Sequence, residues 1–123
     1  MFLSPSFHTM IKAKCHCGNV ELTTEYIPDT LTECNCSICR RLSAKWIYYK
    51  TQEVSITCNT YPTKTYIWGD KCIAFHHCPN CGCATHYSSV EGSGFDRIAI
   101  NANMLEPNVI KNLKTRRFNG AEM

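Results

Sequence analysis

Apolar positions along this chain recur mostly at every second residue, in short runs cut off by turn residues. "MIKAKC" (10–15), "NVELTTEYI" (19–27) and "AKWIYYK" (44–50) show this alternation or β-branched enrichment. "EVSITC" (53–58), "KTYIW" (64–68), "CIAFHHC" (72–78), "CATHYS" (83–88) and "FDRIAINA" (95–102) continue it. Between them lie turn signals: Gly18-Asn19, Tyr61-Pro62, Gly69-Asp70, Pro79-Asn80, Gly92-Ser93-Gly94 and Pro107-Asn108. A 3.6-residue period is scarce. "SICRRLSA" (37–44) predicts one or two helical turns, and the stretch around 108–117 offers one further helix. The pattern predicts a small, mainly β fold with short strands in stacked or rolled sheets.

With 123 residues the chain suits a single domain over 10–123, preceded by a poorly ordered leader over 1–9, with Met10 an alternative start. A β fold of this size has a thin core, so metal staples would add stability. Ten cysteines make that idea concrete. The first residues, "MFLSPSFHTM", lack a basic start, and Pro5, Ser6 and His8 interrupt the apolar ones, so they do not read as a secretory signal. No run approaches the ~18 apolar residues of a membrane span. We therefore expect a cytoplasmic protein whose reduced thiols bind metal. The net charge of +3 neither demands nor excludes an acidic partner.

Eight cysteines fall into three groups: "CHCG" (Cys15, Cys17), "CNCSIC" (Cys34, Cys36, Cys39) and "CPNCGC" (Cys78, Cys81, Cys83). In extended chain, residues i and i+2 share a face, so C-x-C aims two thiolates at one point. C-x-x-C does so across a tight turn. Gly18 and Gly82 each follow a cysteine, where a chain bending round a metal often needs positive φ. "CHCG" and "CPNCG" thus look like halves of one tetrahedral structural zinc site on Cys15, Cys17, Cys78 and Cys81. That leaves "CNCSIC" with three thiolates. Three protein ligands and one open position is the arrangement of a catalytic zinc, and the open place suits a substrate thiol. Closure by Cys83, His76, His77, His86 or Cys58 into a second structural site stands equally open at this level. Arg40 and Arg41 follow at once, placed to offset a tris-thiolate metal or meet an anionic substrate.

The ordered set C-x-C-G, C-x-C-x-x-C-[KR], C-x-x-C-G resembles the family of glutathione-dependent formaldehyde-activating enzymes, which includes the centromere protein V domain. "ECNCSIC" and "RFNG" are similar to segments of the latter branch, and the resemblance runs from about Cys15 to Gly120. It implies a zinc-bound, mainly β fold of the Mss4-like type and two zinc ions per chain. One is structural, on Cys15, Cys17, Cys78 and Cys81. The other is catalytic, on Cys34, Cys36 and Cys39, and meets glutathione and formaldehyde. The implied activity is that of a carbon–sulfur lyase, condensing formaldehyde with glutathione to S-(hydroxymethyl)glutathione in the reverse direction. The implied partner is a small thiol, without membrane or nucleic acid. The chain departs from the family pattern at His77, where an aromatic residue often precedes C-x-x-C-G, and at Cys83, an added thiol.

Other residues read more simply. His76, His77 and His86 fit strand histidines, and His16, between two ligands, points away into solvent. Cys58, Cys72 and Cys83 read as small buried hydrophobes. Trp46, Tyr48 and Tyr49 read as a strand with one face in the core. Arg97 and Asn101 are placed by the resemblance on a late strand lining the site. "KNLKTRR" (111–117) reads as a solvated basic face. In a competing reading the chain is a non-catalytic, zinc-stabilised interaction module that meets an acidic protein or nucleic acid through that face.

Overall fold

Each short alternating run becomes a short strand. The computed structural model describes residues 10–122, so the leader expected over 1–9 lies outside the described residues. Its strands are β1 (Ile11–Lys14), β2 (Val20–Thr24), β3 (Thr30–Cys34), β4 (Trp46–Tyr49), β5 (Ser55–Cys58), β6 (Lys64–Ile67), β7 (Ile73–His77), β8 (Ala84–Ser89), β9 (Ile98–Asn101) and β10 (Lys114–Phe118). Two helices, α1 (Ser37–Leu42) and α2 (Pro107–Ile110), interrupt them. A three-stranded antiparallel sheet has the order β1-β2-β5. A seven-stranded sheet has the order β10-β3-β4-β9-β8-β7-β6, antiparallel except for the β10–β3 pair. Neither sheet closes, and the mainly β expectation holds.

The pleat divides the core in two. Ile47 and Tyr49 of β4 and Ile98 and Ile100 of β9 join one cluster with Ala13, Val20 and Leu22 of the small sheet. Their strand neighbours Trp46 and Ala99 join a second cluster with Phe75 and Tyr87, against which Ile38 and Leu42 of α1 pack. Strand β4 is therefore buried on both faces, not one: Trp46, Ile47 and Tyr49 are all buried, because β4 lies inside the larger sheet between β3 and β9. Burying each such side chain contributes about 1.5–3 kcal/mol before the entropic cost of ordering it. Each core also holds cysteines. Cys15 and Cys78 belong to the first, while Cys39 belongs to the second with Cys34 and Cys36 beside it.

Two expectations change here. The helix around 108–117 is a single turn, α2, with Pro107 at its start. From Lys114 the chain is extended, pairing in parallel with β3 from Lys114↔Thr30 to Phe118↔Cys34. The exposed edge of β3 offers that stretch backbone partners over five residues, which outweighs its weak helical pattern. Cys58 is not a buried hydrophobe. It ends β5, an edge strand whose four residues are all exposed, and Cys72 and Cys83 are only partly buried.

Two candidate metal centres and an aromatic cleft

The sequence ties Cys15 and Cys17 to the turn after β1, and Cys78 and Cys81 to the turn after β7. The fold brings these two turns together. All four Sγ atoms lie within 4.8 Å of one another, with Cys15–Cys17 at 3.7 Å and Cys17–Cys78 at 3.6 Å. A tetrahedral zinc with Zn–S bonds of about 2.3 Å has sulfur–sulfur edges of about 3.8 Å, so these thiols already stand near that geometry. Each turn closes through a glycine N–H, over three residues in one and four in the other. Gly18 N–H donates to the Cys15 carbonyl at 3.0 Å and Gly82 N–H to the Cys78 carbonyl at 2.8 Å. Both glycines have positive φ, 81° and 80°.

Backbone and amide donors support the charge this cluster would carry. Val20 N–H reaches Cys15 Sγ at 3.2 Å, and Asn19 Nδ2 reaches Cys78 Sγ at 3.6 Å. Burial pushes the Cys15 thiol up to about 11, despite the Val20 donor. At Cys81 burial acts in the same direction, but the N–H groups of Cys83 and Cys17 outweigh it and bring the thiol down to about 5. The N–H of Cys81 likewise lowers Cys78. A set of deep and shallow thiols with inward-facing donors suits a buried dication.

The second cluster spans a strand–helix junction. Cys34 ends β3, Cys36 is the N-cap of α1, and Cys39 lies buried in the helix. Their three Sγ atoms also lie within 4.8 Å of one another, and among the described residues no fourth Cys, His, Asp or Glu joins them. Trp46 Nε1 donates to Cys39 Sγ at 3.4 Å. Burial pushes Cys39 up to about 12 and also raises Cys34. Cys36 goes the other way. Burial would raise it, but the N–H groups of Cys39 and Ile38 and the neighbouring thiols lower it overall. Its thiolate is thus the favoured first charge of the group.

The residues proposed to close this second site are placed elsewhere. His76 has both ring nitrogens occupied, by Thr63 Oγ1 at 2.7 Å and Ser88 Oγ at 2.8 Å, and it stacks on buried His86 at 4.1 Å. Cys83 sits beside Cys81, next to the first cluster. Cys58 is exposed on the smaller sheet, and His77 lies on β7 of the larger one, between its partners Lys64 of β6 and Ala84 of β8. His16 is exposed, as expected from its place between Cys15 and Cys17.

A cleft of about 350 Å³ opens over Cys34, Cys36 and Cys39. Its remaining wall is largely aromatic, with Trp46, Tyr48, Trp68, Phe75, Tyr87 and Phe118. Arg97 is its cation and Asp70 its acid. The Arg97 guanidinium lies 4.4 Å from the Tyr48 ring centroid and donates a long hydrogen bond, 3.5 Å, to Tyr87 Oη. Of the two residues expected on the late strand, only Arg97 lines the cleft. Asn101 is buried and structural, donating to the Ala84 carbonyl at 2.8 Å and accepting from Lys45 and Asn103 N–H. Arg40 and Arg41 are exposed and outside the cleft, and Arg41 turns back to the Ser37 carbonyl at 2.8 Å. Sequence reasoning missed Trp68, Tyr87 and Phe118. Each comes from a separate strand or turn, so nothing local joins them to the cysteines.

A further wall was also unforeseen. Gly120 lies against the second cluster, and a Cβ there would meet Cys34 Sγ at 2.6 Å and Cys36 Cβ at 3.0 Å. Asn35 clasps this segment. It donates through Nδ2 to Asn119 Oδ1 at 3.0 Å and accepts from Ala121 N–H at 3.0 Å.

These features define a mainly β protein with two thiol clusters able to hold metal ions, one of them opening on a cleft. The model of the glutathione-dependent formaldehyde-activating enzyme family matches residues 10–117, and the chain belongs to that family. It is similar in fold to a protein of Rhodobacter sphaeroides, known from a structural-genomics crystal structure. The two are 24% identical with a TM-score of 0.69, over 86% of this chain and 100% of that one. Among curated proteins, none matches the chain.

Proposed function

We propose that the chain is a zinc-dependent carbon–sulfur lyase of the S-(hydroxymethyl)glutathione synthase type. The observation that carries this reading is the cluster of three thiols with no fourth protein ligand among the described residues, opening into a cleft that holds one guanidinium. On this reading Cys15, Cys17, Cys78 and Cys81 hold a structural zinc, and Cys34, Cys36 and Cys39 a catalytic one. All-thiolate donor sets suit zinc. A zinc on the second cluster supplies positive charge that keeps a substrate thiol deprotonated near neutral pH.

The chain's own residues would do the rest. Arg97 and Asp70 offer opposite charges to the carboxylate and ammonium of an amino-acid-like thiol such as glutathione. Tyr87, buried and pushed up to about 12 by that burial, keeps its phenolic proton at neutral pH. Its phenol lines the cleft beside Arg97, and there it would donate a proton to the alkoxide oxygen that develops as sulfur bonds to the aldehyde carbon. Membership of the family supports glutathione and formaldehyde as the substrate pair.

Cobalt-substituted protein titrated with glutathione tests this reading. A saturable change in the thiolate-to-cobalt bands, absent in Cys36→Ser, is the expected result. An unchanged spectrum would turn attention to the exposed basic edge of β10, with Lys114, Arg116 and Arg117, as the contact surface of a non-catalytic module.

A further inference from the structure

We propose that the preferred carbonyl substrate is an aldehyde with an apolar, aryl-sized substituent, and that formaldehyde is a lesser one. The inference rests on the lyase reading above. The size of the cleft is the first argument. The cleft holds about 350 Å³ for thiol and aldehyde together, and formaldehyde adds to the thiol only the ~30 Å³ that one water occupies in the liquid. The lining is the second. Arg97 and Asp70 already answer the charged end of an amino-acid-like thiol, which leaves the apolar surface of Trp68 and Ile73 for another part of the ligand. Ligand sites pair a few placed polar groups with apolar walls that cover the apolar body of the ligand.

Trp68 adds a third argument. It is 41% exposed on the turn after β6, and it lines the cleft beside Gly69 and Asp70. A flat, partly exposed ring at the rim offers a stacking face to an aryl group. Formaldehyde has no surface to bring to it.

The chemistry balances without a further reactant. The thiol sulfur bonds to the carbonyl carbon, and the π pair of the C=O bond moves to oxygen. That oxygen takes a proton, and the thiol gives one up. The product is a hemithioacetal, no atom is oxidised or reduced, and the reverse step cleaves the C–S bond.

The test uses the full zinc-loaded chain with glutathione and either phenylacetaldehyde or formaldehyde. Each initial rate is divided by the uncatalysed rate under the same conditions, which removes the greater intrinsic reactivity of formaldehyde. We expect the acceleration to be at least tenfold larger for phenylacetaldehyde. We also expect Trp68→Ala to shrink that ratio severalfold while both metals stay bound. An equal or larger acceleration for formaldehyde overturns the inference and leaves the lyase reading in place. An unchanged ratio in Trp68→Ala overturns it too. If neither aldehyde is accelerated but glutathione still alters the cobalt spectrum, the inference fails while thiol binding stands. Loss of the cobalt response defeats both.

Discussion

Gly120→Ala changes no ligand and yet should damage the second metal centre selectively. The added Cβ would sit 2.6 Å from Cys34 Sγ and 3.0 Å from Cys36 Cβ, whereas nonbonded heavy atoms rest about 3.5–4.0 Å apart. Either the sulfur or the segment must move by about 1 Å. The segment is poorly placed to yield. Phe118 is paired with Cys34 in the β10–β3 ladder, and Asn35 holds both Asn119 and Ala121. Metal–sulfur distances in well-formed sites stay within about 0.2 Å of their usual values, so a zinc on this cluster would be held less tightly by a displaced Cys34. Overpacking of this kind costs about 1–3 kcal/mol, which is roughly a 5- to 150-fold loss of metal affinity if the strain falls on the bound state. The assay is zinc competition against a chromophoric chelator, with the Cys15, Cys17, Cys78 and Cys81 cluster as internal control. The expected result is one tight and one weakened zinc at an unchanged fold. Two zinc ions held with the parent affinities would refute the reasoning, because the segment would then give way in place of the ligand.

Three further outcomes follow from the same geometry. Cys78→Ser removes a fully buried thiol that ties the turn after β7 to that after β1, so its melting temperature should fall sharply and insoluble protein accumulate; a soluble variant with the parent melting curve would tell against a structural role. Arg97→Met keeps the bulk over Tyr48 and removes the charge, so glutathione should bind about tenfold more weakly at the cobalt-loaded site, and a glutathione analogue lacking both carboxylates should show no such difference. His86 is 1% exposed, and burial brings its imidazole down to about 3 from an ordinary 6.5. The unfolded chain therefore binds a proton that the folded chain refuses, and stability present above about pH 6.5 is lost as pH falls towards 3. The loss is about 1.4 kcal/mol by pH 5.5 and on the order of 4–5 kcal/mol at its limit. His86→Phe should flatten the slope between pH 7.5 and 5.5 by that first amount in chemical denaturation, and parallel slopes would disprove the assignment.

The sequence reports what lies within one turn or one strand, and it is silent about what meets across the sheet. Three-thiol and two-thiol groups were legible because each is local, set by the period of an extended chain or by a tight turn. Pairing "CHCG" with "CPNCG" across about 60 residues was also within reach, because two half-sites of two thiols, each followed by glycine, have few other ways to complete a tetrahedron. The helix expected around 108–117 gives way to strand from Lys114, since the deciding partner is the bare edge of β3, some 80 residues upstream. The arginines show the same limit more sharply. Arg40 and Arg41 adjoin Cys39 in sequence, but a helix turns them outward, and Arg97, 58 positions away, supplies the cleft's charge. Proximity along the chain was a poor guide because α1 exposes the face that follows a buried cysteine, while β9 delivers its preceding residue to the neighbouring strand. The same logic explains Gly120. Its value lies in an atom it lacks, and only the approach of Cys34 makes that absence matter. The local chemistry of the second cluster is thus written in "CNCSIC", whereas access to it is written in residues drawn from β4, β7, β8, β10 and the turns beside β6 and β9.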